Sequence, residues 1–499
     1  MKLKNILILS FVLILSISCK KGFEGTKKSQ ALPETFMVVD TIFRTGPDRL
    51  TTRVEAHWWG NSSGGFITAF EVSADNGLSW TKTKSQDSIF LMNIPAGQDS
   101  SDVVILVRAI DQLGQKDDSP ASTLFPIKNS APEVKFIFSQ VLAGIPSTNP
   151  VNVFPVIKYN IQGYDPDGEV LQSFELFIND TNASPYVFTG TSTAFTLVAT
   201  DPKADSSRCQ VFLGTSTKAQ SDLSPYIRLG AFNTIYIRAV DKALSKSGFI
   251  AAPRIWVKRV KSDLLVINAY NSSKTFVQNF YCQRLVLNGI SLFDTLQATE
   301  IIDNNYTQLQ PDFQTQSRTF SLFKKILWFS DDANFSLSLG QRSTSSFFDA
   351  GGKMFMTVSI NSSFDPLSNF LDWTPIKSLV NPAVGSVFRV NINADVPPMK
   401  PNWPLLKSTA IIASARPFEL PGETNDIGYD SLYAGGIIES KSGQSPSAWT
   451  GVSTVIARRY MKSTNKSNFI ISSIPLERFN GRNNIDSLFN QVLINELGF

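Results

Sequence analysis

Hydrophobic and polar positions fall into four regimes along this chain. Residues 6–18 are almost all apolar, preceded by Lys2 and Lys4 and ended at Cys19. A basic start, a short apolar run and small residues at its end predict a secretory leader. The run is shorter than the roughly 20 apolar residues that a membrane-spanning helix needs. Residues 19–33 are polar and glycine-containing, which predicts a flexible tether. From residue 34 to about residue 258, apolar and polar positions alternate in short runs between turn residues. The runs 36–40, 53–58, 67–73, 89–91 and 103–110 predict strands. Strands at this spacing predict an antiparallel β-sandwich.

The alternating regime repeats itself. A small-residue turn, Gly60-Asn61-Ser62-Ser63-Gly64-Gly65, leads into a strand centred on Phe70-Glu71. A second turn, Asp165-Pro166-Asp167-Gly168, leads into a strand centred on Phe174-Glu175. Asp75-Asn76-Gly77 and Asn179-Asp180 then turn the chain. Each unit closes with one strand type, Val107-Arg108-Ala109-Ile110-Asp111 or Ile237-Arg238-Ala239-Val240-Asp241. These are two copies of one sandwich, expected over 34–129 and 130–259. The second carries an insertion of about 27 residues between its Phe-Glu and Arg-Ala strands. Since both features recur together, Arg108 and Arg238 are expected to pair with Glu71 and Glu175.

Past Val260 the period changes. Residues 263–268, 325–331 and 353–359 are nearly continuous apolar runs of the kind found in buried parallel strands. Ser272 or Ser273 can cap a helix whose apolar positions are Phe276, Phe280 and Leu287. A further helix is expected after Asp331, running through Phe348 to a stop at Gly351-Gly352. Ile485, Leu488, Phe489, Val492, Leu493 and Leu497 form one face of a last helix. Strand–helix alternation predicts an α/β domain with a mostly parallel sheet over 260–499.

These motifs carry several resemblances. Leu15-Ser16-Ile17-Ser18-Cys19 resembles a bacterial lipobox. It implies removal of residues 1–18, acylation of Cys19, and attachment to the cell envelope through an N-terminal lipid. The two repeats resemble the fibronectin type III or immunoglobulin-like domains of secreted bacterial proteins, a likeness that implies a fold and no particular activity. The order of strand, acidic residue, helix, Gly-Gly and strand resembles the class I glutamine amidotransferase-like, flavodoxin-type fold. Asp40-Thr41-Ile42, Asp87-Ser88-Ile89, Asp294-Thr295-Leu296, Asp430-Ser431-Leu432 and Asp486-Ser487-Leu488 are similar to the O-glycosylation acceptor pattern of Bacteroidota. With the lipobox, that pattern implies the outer membrane, its inner or outer face left open.

Composition narrows the chemistry. A chain of 499 residues suggests two to four domains. The formal charge of +4 includes Lys2 and Lys4, so the chain beyond the leader carries about +2, too little for a nucleic-acid surface. After Cys19 only Cys209 and Cys282 remain, in different predicted domains, so two free buried thiols are expected. His57 is the single histidine, which removes most routes to zinc binding and to histidine-assisted nucleophiles.

A working class I amidotransferase needs a cysteine in a tight glycine-flanked elbow, with a histidine and an acid downstream. Here the corresponding strand reads Met356-Thr357-Val358-Ser359-Ile360-Asn361-Ser362, without cysteine or glycine. Ser359 as a nucleophile lacks a general base, and Cys282 falls on a helix as an inert thiol. Asp331 and Asp332 follow a strand at its C-terminal end, where open α/β sheets bind ligands; helix capping, common in this position, accounts for the same residues. Asp165 and Asp167 are weak calcium candidates, and a turn with glycine at positive φ accounts for the same residues. Of Trp58 and Trp59, one is expected in the core and the other exposed. No cofactor is expected. The resulting expectation is a non-catalytic envelope protein that binds or scaffolds a protein or glycan partner. A carboxylate-dependent glycan hydrolase and a carbohydrate-capture lipoprotein are the alternatives.

Overall fold

The computed structural model describes residues 31–499 apart from 40–43, 46–48, 51–52, 93, 95–97, 99, 139, 143–144, 148–150, 167, 169, 273, 300–306, 311, 363 and 366–368. The leader, Cys19, most of the tether, the triplet at 40–42, Asp167 and Ser273 lie outside the described residues.

The first repeat is built from β1 (Glu34–Val39), β2 (Arg53–Asn61), β3 (Ile67–Ser73), β4 (Thr81–Thr83), β5 (Asp87–Leu91), β6 (Ser100–Asp111) and β7 (Ala121–Lys128). One sheet has the order β1-β2-β5; the other holds β7-β6-β3-β4, extended beside β7 by two short strands. This is a fibronectin type III-like sandwich. Alternation supplies its core: Val54, Ala56 and Trp58 of β2 meet Phe70 and Val72 of β3 and Ile105, Val107 and Ala109 of β6.

The second repeat follows the same plan. Its strands are β8 (Glu133–Ile137), β9 (Val156–Tyr164), β10 (Ser173–Ile178), β11 (Tyr186–Thr189), β12 (Ala194–Ala199), β13 (Cys209–Leu213), β14 (Ile235–Val240) and β15 (Ile250–Ala251). The sheets are ordered β8-β9-β12-β13 and β11-β10-β14-β15. The expected ion pairs form in both copies. Glu71 sits opposite Arg108 and Glu175 opposite Arg238 in antiparallel register. Glu71 accepts from Arg108 Nε at 2.7 Å and from Lys116 Nζ at 2.8 Å. Glu175 accepts from Arg238 Nε at 2.5 Å and from Lys246 Nζ at 2.8 Å. Asp111 and Asp241 close the following turns by accepting the backbone N–H of Gln115 and of Ser245. Glutamate and arginine are 37 residues apart in the first copy and 63 in the second. Strand β13 lies within that extra length.

The remaining chain forms a seven-stranded mixed sheet covered by helices on both faces. Its strands are β16 (Leu264–Ala269), β17 (Asp294–Gln297), β18 (Lys325–Ser330), β19 (Lys353–Val358), β20 (Ile427–Ala434), β21 (Thr454–Met461) and β22 (Lys466–Ser472). The order is β17-β16-β18-β19-β22-β21-β20. The first five run parallel, and β21 and β20 complete the sheet antiparallel. The helices are α1 (Lys274–Leu287), α2 (Phe313–Phe320), α3 (Ala333–Ser343), α4 (Ser345–Asp349) and α5 (Ile485–Asn490), the last continued by a wider turn over Gln491–Glu496. Alternate strand residues serve opposite faces. Val266, Leu327, Phe329 and Phe355 pack with α1 and α5, whereas Leu265, Ile267, Ile326, Trp328 and Met356 pack with α2, α3 and α4.

One expectation needs correction. The apolar face of α1 is Val277, Tyr281 and Leu285, all buried, while Phe276 and Leu287 are 64% and 58% exposed. Phe276 and Phe280 suggested the stripe, but the helix is rotated so that Tyr281 stacks on Phe329 at 4.3 Å. The chain divides into two compact units. One unit comprises the chain to Pro132 with Asp165–Val170 and Asp241–Ser245; the other comprises Glu133–Tyr164, Leu171–Val240 and Lys246–Phe499. Within the second unit, sandwich and α/β layers share buried contacts. Phe154 packs edge-on against Phe323 at 5.1 Å, and Gln310 donates to the carbonyl of Val156 at 2.8 Å. Lys158 pairs with Asp312 at 2.9 Å.

Candidate ligand cleft at the carboxyl end of the parallel strands

The C-terminal ends of β16, β18, β19 and β22 bring together Tyr270, Ser272, Asp331, Ser359 and Glu477. Glu477 lies on a single 3-10 turn, Leu476–Arg478, beyond β22. Its Oε1 accepts the Tyr270 hydroxyl at 2.8 Å and its Oε2 accepts the Tyr281 hydroxyl at 3.1 Å. The Tyr281 oxygen also shares a hydrogen bond with Thr357 Oγ1 at 2.8 Å. A chain of polar groups thus crosses the sheet end from β19 through α1 to Glu477 and back to β16. Burial raises the Glu477 carboxyl above the usual carboxylate range, and the two phenols and Arg478 offset only part of that cost. Both tyrosines are raised too, first by burial and then by the Glu477 charge.

An open cleft of about 430 Å³ begins at this group. Tyr270, Ser272, Thr409, Glu477 and Arg478 supply its polar lining, and Phe276, Val277 and Ala410 its apolar lining. The exposed Phe276 is therefore a rim residue of the cleft. The 409–411 loop is tied to the Glu477 turn: Thr409 N–H donates to the Arg478 carbonyl at 2.7 Å, and Arg478 Nη1 donates to the Ile411 carbonyl at 3.1 Å.

Asp331 and Asp332 stand at the end of β18, beside this cleft and outside its lining. Asp332 caps α3 by accepting the Phe335 N–H at 3.0 Å. Asp331 accepts the Asn271 N–H at 2.7 Å and the Ser272 N–H at 3.3 Å. It therefore shapes the β16 loop that carries Tyr270 and Ser272. Glu477 itself had no signal in the sequence. A single acid in Pro475-Leu476-Glu477-Arg478 becomes notable only when β22 is placed beside β19 and α1.

The other candidates are dispersed. The Cys282 thiol sits on α1, partly buried, and burial pushes it up to about 11. Cys209 is buried in β13 and pushed up to about 12. Ser359 follows β19 and donates its N–H to the Ser330 carbonyl at 3.0 Å. Asp165 is buried in a turn closed by the Gly168 N–H on its carbonyl at 3.0 Å, with Gly168 at φ +84°. Trp58 is 1% exposed and Trp59 45%, the latter stacked on Phe36 at 5.6 Å. His57 lies near Glu55 at 3.9 Å. Among the described residues no group of three His, Cys, Asp or Glu is arranged to hold a metal ion, and no helix is long and apolar enough to cross a membrane.

No family model and no curated protein matches the chain. Solved structures with fibronectin type III modules are similar to part of it. The fibronectin(III)-like modules of Clostridium thermocellum CbhA are 12% identical, covering 45% of this chain and 94% of that one with a TM-score of 0.15. A two-domain fibronectin type III segment of chicken tenascin is 13% identical, covering 46% and 100% with a TM-score of 0.21. A chitinase, ChiA74 from Bacillus thuringiensis, is 10% identical, covering 43% and 28% with a TM-score of 0.14. Scores this low decide nothing about activity; the assignment of the sandwiches rests on their strand pairing.

Proposed function

We propose that this chain is a lipid-anchored, non-catalytic binding or scaffolding protein of a bacterial envelope, with the outer membrane as its site. Cys19 carries the lipid in this reading. The two sandwiches act as spacers, and the α/β layer is a degenerate amidotransferase-like domain of flavodoxin type that presents the cleft to a protein or glycan partner. Its parallel strands follow the order second, first, third, fourth, fifth, which is the flavodoxin-type order. The observation that carries the binding role is Glu477, held by two phenols at the strand ends beside a lined opening. A neutral thiol on a helix and a serine at a strand end supply no activated nucleophile. Two measurements test the reading. Labelled palmitate should enter the wild type and not Cys19→Ala, and label in the variant would refute the anchor. The purified full chain should release no ammonia from glutamine; release abolished by Cys282→Ser would refute the non-catalytic role.

A further inference from the structure

The two repeats differ at one sheet edge. In the second repeat, β12 is covered: β13 pairs with it antiparallel, from Phe195 opposite Leu213 to Ala199 opposite Cys209. Cys209 and Val211 of β13 are 1% and 0% exposed, and Leu213 packs against the same core. In the first repeat, β5 holds the position of β12, since each pairs with the second strand of its copy. Among the described residues β5 ends its sheet, with nothing in the position of β13. Ile89 is 48% exposed and Leu91 54%.

The polar backbone groups of β5 are phased for an addition. Trp58 N–H bonds the Gln86 carbonyl at 2.8 Å. In an antiparallel ladder the bonded pairs alternate, so Ser88 and Phe90 bond back to β2. Asp87, Ile89 and Leu91 then direct their N–H and C=O groups to the open side. Behind that edge the two sheets part. A groove of about 590 Å³ runs between β4 and β5, with Trp58, Val72 and Phe90 in its wall. In the second copy, inward side chains of β13 fill the matching side of the core. Asp75 and Asp87 lie on the groove, with Lys82 as its one basic lining residue. Bonds from Ser73 and Ser79 hold the Asp75 carboxyl down to about 2, so it is charged at neutral pH.

We infer that β5 is an acceptor edge for an extended segment of a partner protein. The segment adds antiparallel as a new edge strand, as β13 does on β12, with apolar side chains at alternate positions entering the groove. A basic residue beside the strand meets Asp75 and Asp87. This surface belongs to the first repeat and the cleft to the α/β layer, and the inference does not depend on the cleft or on the lipid.

The test uses the full chain in detergent micelles and a labelled peptide of residues 207–215 with Cys209→Ser, which carries Arg208 and the alternating Val211 and Leu213. Saturable binding is expected, together with a loss of tenfold or more in a peptide with Val211→Asp and Leu213→Asp. Ile89→Pro removes an N–H that points to the open side, and Ile89→Lys adds a charge to the edge; each should weaken binding tenfold or more. Backbone circular dichroism should stay unchanged in at least one of them. Absence of binding, or binding that ignores both Ile89 variants, overturns the inference. Concentration-dependent dimerisation abolished by Ile89→Pro, without peptide binding, overturns it in favour of a second copy on this edge.

Discussion

The two sandwiches share an ion cluster and differ in how they finish an edge. Both place one glutamate between an arginine and a lysine on one sheet face. In both, burial raises the glutamate and the bonds from lysine and arginine outweigh it, so the carboxyl is net lowered. The edge, by contrast, is closed by β13 in one copy and, among the described residues, carries no further strand in the other. The shared cluster fixes register at the centre of a sheet, where a slip of one residue would turn every side chain to the wrong face. The edge is free to vary, because a loop can lengthen at little cost in closure entropy. An insertion therefore converts an exposed edge into core without disturbing the register beside it.

The largest effect should come from that difference. Val211→Asp places an unpaired carboxylate where β13 is fully buried and should cost more than about 4 kcal/mol. Ile89→Asp, at the half-exposed equivalent edge, should stay within about 0.5 kcal/mol. Equilibrium urea unfolding of the two variants measures both. Similar costs would mean that Ile89 of β5 is buried as fully as Val211 of β13.

The shared cluster sets the next effect. Glu71→Gln and Glu175→Gln should each cost about 1–2 kcal/mol, since each loses charge-assisted bonds from two cations. The glutamate side chains are 13% and 11% exposed, so the two costs should match. The pH dependence has a definite sign. Both carboxyls are lowered in the folded protein, so their stabilisation is complete above the unfolded value of about 4.3 and is lost as pH falls through the folded values. Denaturation midpoints between pH 6 and pH 3 should show this slope in the wild type and a shallower one in either variant. A slope that both variants leave unchanged would remove the cluster from the account.

Much of this architecture was legible in the sequence. The glutamate–arginine pairs were readable because cross-strand partners recur at matching points of two copies. The parallel strands were readable because a strand buried on both faces must be apolar at nearly every position, as in Leu264-Leu265-Val266-Ile267. The last helix was readable too: all six of its predicted apolar residues are 0% exposed. The phase of α1 was not, because Phe276 and Phe280 outweigh Val277 and Tyr281 in hydropathy while geometry buries the latter pair. Nor was the cleft. Glu477, Tyr270 and Tyr281 are up to 207 residues apart, and only the order of the parallel strands brings them together.

The smallest effect separates two kinds of carboxylate. Glu71 and Glu175 face cations, whereas Glu477 is bonded by neutral phenols and is net raised by burial. Its pH dependence therefore has the opposite sign. A raised folded value gives stability that is complete below about 4.3 and is lost as pH rises through the folded value. Near pH 7 the buried charge works against folding, so Glu477→Gln should change stability by less than about 1 kcal/mol there, the lost bonds offset by the lost charge. From pH 4 to pH 7 the wild type should lose stability relative to Glu477→Gln, while Glu71→Gln and Glu175→Gln gain on the wild type only as the pH falls below about 4.3. Parallel curves for the wild type and Glu477→Gln across this range would mean that Glu477 is solvated like a surface acid. The cleft would then hold no desolvated carboxyl with which to select a ligand.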